Sequence, residues 1–183
     1  FGADRYVLFG ICAGADNALA TALADERVAG VVLVDPHVYA SRRAYVRAAW
    51  HKLRELGPRQ TLARAATAAR RFAKARLEPA ASEEQGGREP PPIAEFRATL
   101  GALVARGVKI LAVYSGAHGP RYNHADQLFE VFPELRGRVD RAFFPAANHT
   151  FTELAAQSEL VAGATAWIAR SVPGAFRPSG SPS

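Results

Sequence analysis

The run Val28-Ala29-Gly30-Val31-Val32-Leu33-Val34 limits the fold more than any other stretch of this chain. Seven apolar residues in succession leave no polar face for solvent. The segment therefore reads as a strand buried on both sides, as in the centre of a parallel sheet. It stops at Asp35-Pro36, because proline restricts the residue before it and blocks continuation. Residues 108–114 repeat the pattern apart from Lys109, while residues 6–9 and 138–144 give two further strands. Segments of helical period separate them. Leu19 and Leu23 share a face within 15–24. Tyr45, Ala49, Leu53 and Leu56, widened by Val46 and Trp50, form a stripe within 37–57. A second stripe runs through Leu62, Ala66, Ala69, Ala73 and Leu77. Phe96, Leu100 and Leu103 mark a helix over 93–106, ended by Gly107. A short helix over 124–132 stops at Pro133. A last helix, capped by Thr150 or Thr152, runs to about Arg170 and buries Leu154, Leu160, Trp167 and Ile168. This alternation predicts an α/β fold: an open parallel sheet with helices on both faces.

The predicted loops are equally informative. Residues 79–92 are polar, with a Gly-Gly pair and a Pro triplet, and read as a surface loop. Residues 115–123 are glycine-rich, and 171–183 form a Pro/Gly/Ser tail expected to be disordered. A chain of 183 residues, 49% hydrophobic and 22% charged, suits one globular domain with a substantial core. No apolar run is long enough to span a bilayer, and nothing resembles a signal peptide. The single cysteine excludes an internal disulfide, and cytoplasm is the expected compartment. The first residue is Phe1 and methionine is absent, so a fragment, a processed product or an incomplete gene model is expected.

Gly10-Ile11-Cys12-Ala13-Gly14 lies where the first strand gives way to the first helix. A free cysteine alone most often packs as a small hydrophobe. Here glycines two before and two after it would relieve crowding at a sharp turn, and the following helix N-terminus favours a thiolate. Cys12 is thus a candidate nucleophile, and the N–H of Ala13 a candidate oxyanion donor. His149, in the loop after the last strand, is the candidate general base and acid. The orienting carboxylate has two candidates: Asp35, fixed at a strand end, and Asp126, on the short helix. Strand ends converge on one edge of a parallel sheet, which favours Asp35. Asp16 reads as a first-turn partner of the helix dipole. No Cys/His spacing indicates a metal site, since His118 and His124 stand isolated in the chain, and no cofactor is expected.

The net charge of +6 is concentrated in residues 42–78, where Arg42, Arg43, Arg47, Lys52, Arg54, Arg59, Arg64, Arg70, Arg71, Lys74 and Arg76 face only Glu55 and Glu78. A nucleic-acid-binding domain is one reading of such charge. Aromatics are not interleaved with the arginines, so base stacking has little support. A solvated face, or a lid drawing in an anionic small molecule, accounts for the pattern better.

Taken together, the elbow and the sequence Asn148-His149-Thr150-Phe151 after the last strand make the chain resemble the C-terminal half of an α/β-hydrolase. The cysteine variant of the elbow looks like dienelactone hydrolase. The longer string with Gly14-Ala15-Asp16 looks like bacterial hydrolases found with exosortase and polysaccharide-export systems. The resemblance implies a partial α/β-hydrolase domain over 1–170, with a helical cap or lid insert over 36–92. It implies hydrolysis of an ester, thioester or lactone through an acyl-cysteine intermediate on a small acyl substrate. The family's usual acid position, after the third strand, holds Ser115-Gly116-Ala117-His118-Gly119 and no carboxylate. The loop of the N-terminal half that supplies a second oxyanion donor has no counterpart here, so weak activity of this chain alone is expected. A catalytically inactive relative that binds or scaffolds is the alternative.

Overall fold

The computed structural model describes residues 4–51, 53–57 and 89–173. Four strands, β1 (Tyr6–Ile11), β2 (Val28–Val34), β3 (Lys109–Ser115) and β4 (Asp140–Phe144), form one sheet in the order β1-β2-β3-β4. Every pairing is parallel, with Leu8 opposite Val31, Val31 opposite Ile110 and Val113 opposite Ala142. All seven residues of β2 are buried, as the unbroken apolar run requires. Full burial of a valine or leucine is worth about 1.5–3 kcal/mol, so this strand anchors the domain.

The two faces of the sheet carry separate cores. Val31, Leu33, Ile110, Ala112 and Tyr114 pack on one side against α1 (Ala13–Ala24), α3 (Ile93–Ala105) and α4 (Gln127–Val131). Val32, Val34, Leu111 and Val113 point the other way, toward Leu160, Ala164 and Trp167 of α5 (Leu154–Ser171). The period-two alternation of a strand assigns neighbouring residues to opposite faces. The result is a parallel α/β sheet with helices on both faces.

Several local expectations differ from the structure. Helix α2 occupies residues 42–51 and 53–57 and does not begin at His37. Ser41 accounts for the later start: its Oγ accepts from the N–H of Ala44 at 3.0 Å, the geometry of an N-terminal cap. The preceding segment is held by Tyr39, whose ring lies 5.5 Å from Phe96 and 5.7 Å from Phe132. The stripe on this helix is outward over its first part: Tyr45, Val46 and Trp50 are all more than half exposed, Ala49 is exposed, Leu53 and Leu56 are half-buried, and Ala44 is the buried residue. Glu130, absent from the sequence reading of the basic face, lies 3.7 Å from both Arg43 and Arg47. Leu154 is exposed, and α5 is preceded by Glu153 with no side-chain cap, so neither threonine caps it. Strand β4 begins at Asp140 and the short helix at Gln127, later than the apolar patterns implied. The glycine-rich loop forms 3₁₀ turns over Gly116–Arg121, interrupted at Gly119. The second basic helical stripe and most of the polar loop and C-terminal tail lie outside the described residues.

Candidate active site

Four parallel strands end on the same side of the sheet, and each is followed by one part of the site. After β1 the chain turns through Cys12 at φ 54°, ψ −117°, directly into α1. A positive φ at a residue with a side chain costs about 1–3 kcal/mol, and such strain collects at functional turns. Gly10 makes this turn possible: a Cβ there would fall 2.1 Å from the carbonyl oxygen of Gly14. Gly14 differs from expectation, because a Cβ on it would meet open space. Of the two elbow glycines, only the first relieves crowding among the described residues. Cys12 is partly buried, and its N–H donates to the carbonyl of Val34 at 2.9 Å, tying the turn to β2. Ala13 is the first residue of α1, and N–H groups in a first helical turn have no partner within the helix.

After β2 comes Asp35, wholly buried and also at positive φ, 46°. Its N–H stays in the sheet, donating to Val113 at 2.8 Å. Its carboxylate accepts from Ser115 twice: from the N–H at 2.7 Å on Oδ1 and from the hydroxyl at 2.6 Å on Oδ2. Nδ1 of His149 lies 2.8 Å from Oδ2, and Nε2 of His118 lies 3.2 Å from Oδ1. Burial alone would raise the Asp35 pKa. The contact with His118, the hydroxyl and N–H of Ser115, and the charge of His118 together outweigh burial and hold it below the ordinary carboxylate value.

The loop after β4 is fixed by its own sequence. Asn148 accepts on Oδ1 from the N–H of Thr152 at 3.1 Å, and Phe151 buries its ring against Phe144 at 5.5 Å. His149 is held between them, its side chain 39% exposed on the cavity side. The loop after β3 is pulled close by Gly116, whose N–H donates to Ala147 at 3.1 Å and where a Cβ would fall 2.0 Å from the Pro145 oxygen.

Cys12, Asp35, His37, His118, Arg121 and His149 line one cavity of about 350 Å³ together with Pro36, Val38, Pro90 and Ala117. Buried Gln127 supports this wall. Its amide donates to the carbonyls of Tyr39, at 3.2 Å, and Arg121, and its oxygen accepts from the N–H of Asn123 at 3.1 Å. Asp16 reaches His37 at 3.0 Å, which adds a side-chain partner to its place in the first turn.

The structure thus brings Cys12, Asp35 and His149 to one cavity and leaves Asp126 elsewhere. Asp126 accepts from Nε of Arg141 at 2.9 Å and also faces Arg136. His118 was isolated only in sequence; in space its ring is 5.7 Å from that of His149. His37, Ser115, His118 and Arg121 are the site residues that sequence reasoning left without a role. A loop after a strand end was the available signal for Ser115 and His118. Among the described residues no helix is long and apolar enough to cross a membrane. No family model, curated protein or solved structure matches the chain.

Proposed function

We propose that this chain carries an α/β-hydrolase-type acyl-transfer site that cleaves an ester, thioester or lactone through an acyl-cysteine intermediate. The observation that carries the reading is the hydrogen-bonded pair of buried Asp35 and His149, facing the same cavity as Cys12 on its strained strand-to-helix turn. Asp35 accepting from Nδ1–H leaves Nε2 of His149 as the basic nitrogen. That nitrogen takes the Cys12 thiol proton as Sγ attacks the acyl carbonyl carbon. The oxyanion so formed accepts the N–H of Ala13. Collapse of the tetrahedral species breaks the bond to the alcohol or thiol, which leaves with the proton from His149. Water then gives a proton to His149 and its hydroxide attacks the acyl-cysteine, releasing the acid and restoring the thiol. Arg121 on the cavity wall supports an anionic acyl substrate. Hydrolysis of a short-chain nitrophenyl ester, compared with Cys12→Ala, tests the reading. Turnover that falls to the uncatalysed rate in the variant is expected, and equal turnover in both proteins would refute it.

A further inference from the structure

Among the described residues His118 brings to the cavity a buried polar side-chain atom that the proposed reaction does not use. Its Nε2 is buried and lies 3.2 Å from Oδ1 of Asp35, yet makes no directed hydrogen bond among the described residues. This ion-pair contact also sets two potential ligand atoms close enough to share one metal ion. One ligand atom each from Asp35, His118 and His149 lies within 4.8 Å of the other two. Zinc bonds of about 2.0–2.2 Å place tetrahedral ligand atoms roughly 3.3–3.5 Å apart. The 3.2 Å contact sits just inside that edge and the 2.8 Å contact about half an ångström inside it, so His149 would have to draw back from Asp35 to admit an ion.

We propose that Asp35, His118 and His149 form a binding site for a divalent transition-metal ion of the zinc class. Two imidazoles and a carboxylate suit zinc or cobalt. Ser115 supplies the orienting contacts such a carboxylate needs, through its N–H and its hydroxyl. The cavity gives entry for the ion and room for a water as fourth ligand. The metal would occupy the atoms that Asp35 and His149 present to each other, so the loaded state and the hydrogen-bonded pair exclude one another. The binding site stands on the geometry of the trio; only its consequence for turnover rests on the acyl-transfer reading.

The test is titration of the full 183-residue chain with Co²⁺, read by its visible ligand-field absorption, then displacement by Zn²⁺. One tetrahedral Co²⁺ per chain is expected. Binding should weaken at least about tenfold in His118→Ala and in the more conservative His118→Gln, with circular dichroism confirming that each is folded. It should persist in Cys12→Ser without a thiolate charge-transfer band. Wild-type affinity in either folded His118 variant would overturn the proposal. So would absence of saturable binding, or a cobalt–thiolate band that disappears in Cys12→Ser.

Discussion

Replacing Asp35 with asparagine isolates the role of one proton position. The carboxylate accepts from the N–H of Ser115 at 2.7 Å, the hydroxyl of Ser115 at 2.6 Å and Nδ1 of His149 at 2.8 Å. The backbone N–H can only donate, so the amide oxygen must take the Oδ1 position and the amide NH₂ the Oδ2 position. The Ser115 hydroxyl can rotate and accept from it. His149 cannot keep its tautomer: with a donor opposite Nδ1, the proton moves to Nε2, the atom that must receive the thiol proton. A histidine held in the wrong tautomer costs about 10⁴ in rate. The effect on stability is much smaller. Three charge-assisted bonds become neutral ones, a loss of about 1 kcal/mol each, offset by removing a buried charge. Asparagine also tolerates the positive φ of 46°. Nitrophenyl ester turnover, with urea unfolding of the same samples, measures both effects. A folded D35N within about tenfold of wild-type turnover would refute the assignment of Asp35 as the orienting group.

Two glycines of the elbow should respond in opposite directions. Gly10→Ala drives a Cβ against the Gly14 carbonyl, so urea unfolding should show a loss of about 1–3 kcal/mol or more. Gly14→Ala meets open space in a helix and should gain up to about 1 kcal/mol. Glu130 should make stability depend on pH. Burial pushes its pKa up, but the Ser41 hydroxyl at 2.5 Å, His124 at 2.9 Å and the charge of Arg47 together hold it below the ordinary 4.5. A carboxyl depressed by folding contributes its full stabilisation above its unfolded pKa and loses it as pH falls through the folded value. Unfolding free energy should therefore decline as pH drops below about 4.5, and decline less steeply in Glu130→Gln.

The sheet was legible because β2 and β3 are apolar without interruption, and burial on both faces leaves no other home for such runs. The stripe on α2 misled because Tyr45, Val46 and Trp50 match helical period as well as a buried face would. Contact is made instead through Ala44 and the Ser41–Glu130 hydrogen bond, which periodicity does not register. Cys12, Asp35 and His149 could be marked because each follows a strand, where chain order predicts convergence. His118 could be placed on the same edge but not given a partner. It approaches Asp35 from a loop that Gly116 lets pack on Pro145, a contact between loops 29 positions apart in the chain. Gly14 matched the elbow pattern without the crowding that the pattern implies.

The acyl-cysteine intermediate can be weighed directly. The folded chain, incubated with a short-chain nitrophenyl ester and quenched in acid, would be analysed by intact and peptide mass spectrometry beside His149→Ala. The account predicts one acyl group, located on Cys12, formed in the wild type and lost without His149. An adduct that forms equally in His149→Ala, or its absence from well-folded wild-type protein, would contradict it.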